Sequence, residues 1–188
     1  MSVQVVFETH SISEDNEAGR ASGWSHSRLS PRGRQLAAEL GRRRRDDGLA
    51  AVFCSDLNRA AETVRLAFAS GGPEILFDWR LRECDYGERN GGLVAEHAAT
   101  RASFLDTPYP GGESWRQAVR RVGGALVDLG TRWDGQRVLV VGHNATHWAL
   151  EHYVHLAPLE DLLVAQRPWQ TGWEYSFDPA TIALEPRA

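Results

Sequence analysis

Cysteine is scarce in this chain of 188 residues, occurring only as Cys54 and Cys84. Two thiols allow a single bridge, which excludes a disulfide framework as the source of stability. Both are expected as reduced thiols in a bacterial-type cytoplasm. Long apolar runs are missing too, and none approaches the roughly 20 residues that span a bilayer. The opening MSVQVVFETH has no basic segment followed by an apolar one, so neither secretion nor membrane anchoring is expected. Positive charge is in deficit: 21 basic residues face 25 acidic ones, for a net charge of −4. That removes the broad basic field a nucleic-acid partner requires. Internal repeats, low-complexity tracts and linkers are also absent. The remainder is ordinary globular material, 42% hydrophobic and 24% charged, enough for one domain over residues 1–188 and short for two.

The order of elements follows from periodicity and punctuation. Val3, Val5 and Phe7 alternate with their neighbours and predict a strand that delivers Thr9 and His10 at its C-terminal end. The polar stretch 11–30 reads as a loop over one end of a sheet. Ser30 followed by Pro31 is an N-cap and a first helical position. The apolar stripe Leu36, Ala37, Leu40 continues that helix to the run Arg42–Arg45, expected as a solvated last turn. A strand is expected over residues 50–54, then a helix capped by Ser55 or Asp56. Ile75–Phe77 forms a third strand candidate, and residues 93–105 hold a weaker helix. A long helix is expected over 113–133. Residues 137–141, RVLVV, suit a central parallel strand, with a helix over 143–155 after it. The last 30 residues suggest two or three edge strands. Strands alternating with helices predict a three-layer α/β/α sandwich with a mostly parallel central sheet.

Two histidines, His10 and His143, fall just past the C-terminal ends of predicted strands, the edge where open parallel sheets bind ligands. Arg59 lies in the first turn of a helix that begins at the same edge, where a guanidinium and a helix N-terminus both favour an anion. Any one of these placements is commonplace, and a lone histidine is more often structural than catalytic. Their joint occurrence shifts the balance toward a functional site that faces an anion. Further along, His143, His147 and Glu151 have the i, i+4, i+8 spacing of metal ligands on a helix.

The ordered blocks F-E-T-H-S-I-S-E-D-N, S-D-L-N-R-A-A-E-T, L-R-E-C-D-Y-G-E-R-N-G, G-G-E-S and V-V-G-H carry a resemblance. Over residues 3 to 150 the chain resembles the histidine phosphatase superfamily, the phosphoglycerate mutase-like clan, and within it the small bacterial phosphatases. The resemblance implies that His10 is a nucleophile that becomes phosphorylated. It implies that Arg59 and Asn16 bind phosphate, that Glu83 donates the proton to the leaving group, and that His143 is the second histidine. It also favours the clan role of His143 over a metal, so neither a metal nor a cofactor is expected.

The expected activity is phosphomonoester hydrolysis of a small soluble metabolite in the cytoplasm, with no membrane and no nucleic acid as partner and a homodimer left open. A phosphomutase, or a diverged member that only binds its ligand, are the alternatives. Mutases of the clan carry extra segments that close the site, for which this length leaves little room.

The departures are local. The family's R-H-G reads T-H-S here, so Thr9 replaces an arginine and Ser11 a glycine. Losing one charge-assisted bond of about 1.5–3 kcal/mol would weaken phosphate binding by about 10- to 100-fold. Arg82 is the first candidate replacement, with Arg20 and Arg28 next. Glu8 either caps the strand in solvent or meets a cationic or hydroxyl-rich part of a substrate. Asn144 is a candidate phosphate contact through its backbone N–H, and Trp24 a candidate wall of the pocket. Cys84 is expected as a packed thiol, and Trp169 and Trp173 as core or rim.

Overall fold

The structure is a computed structural model and describes residues 2–165 and 170–184. The first strand, β1 (Val3–Thr9), is followed by a single helical turn, α1 (Glu14–Glu17), and the two-residue strand β2 (Arg20–Ala21). Then come α2 (Pro31–Arg44), β3 (Ala51–Cys54), α3 (Asn58–Ala67) and β4 (Glu74–Phe77). Strand β5 (Gly92–Leu93) pairs with β2 as a small ribbon and leads into α4 (Val94–Thr100). The chain closes with α5 (Trp115–Arg132), β6 (Arg137–Gly142), α6 (Asn144–Val154), α7 (Leu159–Val164) and β7 (Trp173–Phe177).

The main sheet has five strands in the order β4-β3-β6-β1-β7. All its pairs are parallel except the antiparallel edge strand β7 on β1. Its two faces are covered by different helices. Val6, Val52, Leu139 and Val141 pack under α2 and α3, together with Leu40, Ala60 and Val64. Val5, Phe7, Val138 and Val140 belong to the larger core with α5, α6 and α7. Burial on both faces is why β6 reads as an unbroken apolar run. Ser30 caps α2 by accepting the Gly33 N–H, with Pro31 at the first turn, as its sequence dictates.

Three local expectations are corrected. Neither Ser55 nor Asp56 caps α3: Leu57 holds that position without a side-chain cap. The Asp56 carboxylate instead takes a bidentate pair of bonds from Arg82, at 2.7 and 2.6 Å, a stronger interaction than a cap. Near the C-terminus, β7 is the one strand among the described residues. Residues 159–164 are helical because Leu159, Leu162 and Leu163 recur at i, i+3, i+4 and are all buried. Trp169 lies outside the described residues, while Trp173 packs against Phe7 and His147.

The third correction joins two expectations. Glu8 does not sit in solvent at the end of β1; it is 2% exposed. Its even register puts it on the same face as Val6, beneath α2. There it accepts from Arg43 at 3.0 and 3.1 Å and from Arg44 at 2.9 Å. Arg44 also reaches Asp47 at 2.9 Å. The arginine run is thus partly an internal counterion, not only a solvated last turn, and Glu8 is matched by the protein's own cations.

Candidate active site

Strands β1 and β6 are neighbours, and the His10 N–H donates to the Gly142 carbonyl at 3.0 Å. This places His10 and His143 side by side, with ring centroids 5.0 Å apart. Arg59, in the first turn of α3, reaches both. Its Nε donates to His10 Nε2 at 3.2 Å, and its Nη2 lies 3.3 Å from His143 Nδ1. The guanidinium is anchored by the Gly23 carbonyl at 2.8 Å. Gly23 has φ +53°, and a Cβ there would lie 1.9 Å from Asn90 Oδ1. Only glycine lets that carbonyl turn onto the arginine.

The His10 tautomer is fixed locally. Its Nδ1 lies 2.7 Å from the Ser11 carbonyl, which can only accept, so Nδ1 carries the proton and Nε2 the lone pair. Burial first, then the Arg59 cation, push the His10 pKa down to about 3, against the opposing bond to Ser11. The serine that replaces the expected glycine is accommodated, its N–H donating to Thr63 Oγ1 at 3.0 Å. His143 is held well below its usual pKa by burial, then by Arg59, His10 and Arg121. With Nδ1 accepting from Arg59, its Nε2 carries the N–H and is buried without a partner among the described residues.

Glu83 approaches from the segment between β4 and β5. Its carboxylate sits on the N-terminus of α6, accepting the N–H groups of Ala145 at 3.0 Å and Asn144 at 3.2 Å. It also accepts its neighbour Cys84 N–H at 2.9 Å. Burial lifts its pKa above the usual carboxylate range, while these N–H groups and Arg59 pull the other way. A buried carboxyl with a raised pKa is suited to hold a proton for transfer.

These groups surround one cavity of about 250 Å³, lined among others by Thr9, His10, Asn16, Arg59, Glu83 and His143. Asn16 Oδ1 is engaged by the Ser13 N–H at 3.0 Å. The Asn144 side chain lines the cavity, but its backbone N–H belongs to Glu83. Of the three candidate replacement arginines, Arg20 lines the cavity and its Nη1 donates to the Gly91 carbonyl at 2.9 Å. Arg82 is absent from the lining and is bound to Asp56; Arg28 is absent as well. Trp24 does not form the wall either. Its Nε1 donates to the Glu83 carbonyl at 2.6 Å, and Arg82 lies over its ring at 4.7 Å. Cys84 is a buried thiol whose pKa is raised, chiefly by burial. His147 stacks on Phe7 and lies 3.7 Å from Glu151, whereas His143 faces Arg59. The three residues with metal-ligand spacing therefore do not converge.

Several cavity residues carry no mark in the sequence, among them Gly23, Tyr86, His97 and Arg101. Tyr86 lies inside the block that carries Glu83. His97 and Arg101 come from α4 and the turn after it, where no spacing signal distinguishes them from surface residues.

A buried cation thus lies between two neutral histidines, beside a carboxyl of raised pKa, at the C-terminal edge of a parallel sheet. The profile of the histidine phosphatase superfamily (branch 1) matches residues 6–170, and the chain belongs to that family. It is 33% identical over 149 residues to the probable phosphoglycerate mutase GpmB of Salmonella typhi, covering 75% of this chain and 69% of the relative. Among solved structures it is similar to YhfR of Bacillus stearothermophilus, with TM-score 0.79 and 28% identity over 90% and 87% of the two chains. The fold is shared by mycobacterial glucosyl-3-phosphoglycerate phosphatase in complex with VO3, with TM-score 0.75, 22% identity and 87% of each chain covered.

Proposed function

We propose that this protein hydrolyses the phosphomonoester of a small soluble metabolite through a phosphohistidine at His10. The observation that carries the reading is the His10 Nε2 lone pair held beside the Arg59 guanidinium in a buried cavity that also holds Glu83. The lone pair forms a bond to phosphorus as the ester P–O bond breaks, and protonated Glu83 gives its proton to the leaving oxygen. Oxygens of the bound phosphoryl group take over the Arg59 N–H that His10 accepts in the free protein. His143 Nε2–H, Arg59 and Asn16 meet the charge spread over the equatorial oxygens, so no metal is required. In the second half, the Glu83 carboxylate removes a proton from water as its oxygen attacks phosphorus, and the N–P bond breaks.

Thr9 leaves this scheme one guanidinium short. We assign the replacement to Arg20: Arg82 and Arg28 do not line the cavity, and Arg101, which does, is held by the Leu163 carbonyl at 3.1 Å and lies over the Trp148 ring. A mutase reading, in which the phosphoryl group returns to a second hydroxyl, is favoured by the name of the 33% identical relative. The experiment is intact-protein mass spectrometry with product analysis during incubation with phosphorylated metabolites. Wild type should gain one phosphoryl group and release inorganic phosphate. His10→Ala should show no adduct and lose about 10⁴-fold or more in turnover. Turnover retained in His10→Ala refutes the covalent route, and an isomeric phosphate ester without free phosphate selects the mutase.

A further inference from the structure

Arg121, on α5, does not line the cavity, yet it spends its entire hydrogen-bonding capacity next to the site. A guanidinium has five N–H donors. Nε and Nη2 donate to the two Glu113 carboxylate oxygens at 2.8 and 2.6 Å. The other three N–H groups go to consecutive parts of one segment: Nη1 to the carbonyls of Arg80 at 2.7 Å and Arg82 at 3.1 Å, and Nη2 to that of Glu83 at 3.1 Å. The Arg121 side chain is 8% exposed.

The Glu83 carbonyl receives a second donor, Trp24 Nε1, at 2.6 Å. Trp24 follows Gly23, whose carbonyl anchors Arg59 at 2.8 Å. Two consecutive residues thus fix the phosphate-side cation and the main chain of the acid. The Glu83 carboxylate is meanwhile seated on the N-terminus of α6. Its backbone is set from the α5 side and its head from the α6 side.

We propose that Arg121, with Trp24, is a positioning residue for proton transfer: its fork fixes the main chain of residues 80–83 and so aims the Glu83 carboxyl at the leaving oxygen. The inference rests on the reading of Glu83 as the general acid. A lysine cannot substitute, because a point ammonium with three donors cannot hold three carbonyls and both oxygens of a carboxylate in one plane. A displacement of about 1 Å at a reacting group costs on the order of 100-fold. That cost falls on the step the group serves. An alkoxide leaves poorly without a proton, whereas p-nitrophenolate leaves without one. A misaimed acid therefore harms alkyl esters and spares the activated aryl ester.

The test compares kcat/KM for glycerol 2-phosphate and p-nitrophenyl phosphate in full-length wild type, Arg121→Lys, Trp24→Phe and Glu83→Gln, each checked for native circular dichroism. Arg121→Lys and Trp24→Phe should lose about 10- to 100-fold on the alkyl ester and less than about threefold on the aryl ester. Glu83→Gln should show the same selectivity more strongly. If Glu83→Gln harms both substrates alike, the acid role of Glu83 fails. If Glu83→Gln is selective while the other two variants lower both rates equally, or change neither, the positioning role is overturned. Should Arg121→Lys fail to fold, Trp24→Phe decides the question alone, because it removes the Nε1–H donor to the Glu83 carbonyl while keeping an aromatic side chain.

Discussion

Arg59 Nε lies 3.2 Å from His10 Nε2, so the proposed anion-binding residue also suppresses protonation of the proposed nucleophile. A cation against the lone pair disfavours imidazolium and leaves the neutral ring. Burial, then charge repulsion, act in the same direction on His143, which contacts the same guanidinium. Burial and one shared arginine therefore keep both histidines neutral in the free protein.

This relationship sets the pH dependence. Attack requires neutral His10, and protonation of the leaving group requires neutral Glu83. With the His10 pKa at about 3 and that of Glu83 raised, kcat/KM in the free protein should rise through about pH 3 and fall once pH passes the Glu83 pKa. Glu83→Gln should abolish the basic limb, which separates it from ionisation of the substrate. Stability has its own sign. Between pH 6.5 and about 3 the unfolded chain binds a proton that folded His10 refuses, so stability should fall as pH drops through that window. Glu83 acts oppositely: above 4.5 its folded form holds a proton that the unfolded form has released, and that contribution is lost as pH rises through its folded pKa. Urea midpoints measured across this range check the net trend.

Arg20 is expected to supply the guanidinium missing at Thr9. Arg20→Gln should lower kcat/KM by about 10- to 100-fold on phosphomonoesters in general. Adding Thr9→Arg in that background should recover part of the loss. Arg28→Gln, away from the cavity, should leave the rate at the wild-type level, and equal losses in the two single variants would refute the assignment.

Glu8 is expected to matter for stability. Glu8→Gln leaves the Arg43 and Arg44 guanidiniums without their shared carboxylate in a site where Glu8 is 2% exposed. The loss should be about 3 kcal/mol, at the low end for a broken buried pair because Arg43 is partly exposed. Urea unfolding measures it, and an unchanged midpoint would show that the pair contributes nothing net.

Chelation is expected to leave the activity intact. Turnover measured after prolonged incubation with EDTA and gel filtration should equal that of the untreated protein. A loss reversed by Zn²⁺ or Mg²⁺ would overturn the metal-free scheme and direct attention back to His147 and Glu151.

Much of this was legible in the chain because it is carried by local signals. The alternation at Val3–Phe7, the apolar run in β6 and the Ser30–Pro31 start of α2 each depend on a few neighbouring residues. The positions of His10, Arg59 and His143 at strand and helix ends follow from those elements, whereas Glu83, in the irregular segment between β4 and β5, is marked only by the family resemblance. Sequence periodicity alone therefore determined the layers, the mostly parallel sheet and the edge at which the candidate groups emerge.

The partners of charged side chains were decided by tertiary structure. Glu8 and Arg44 are 36 residues apart and meet because β1 and α2 share a face of the sheet. Arg82 looked destined for phosphate from its place beside Glu83, but Asp56, 26 residues away, holds it at 2.6 Å. Arg121 and His97 gave no signal at all, since their significance lies in carbonyls and a cavity assembled from distant segments. A long flexible side chain can reach in many directions, and which charge it meets depends on the packing of whole elements, information that no local window of sequence contains.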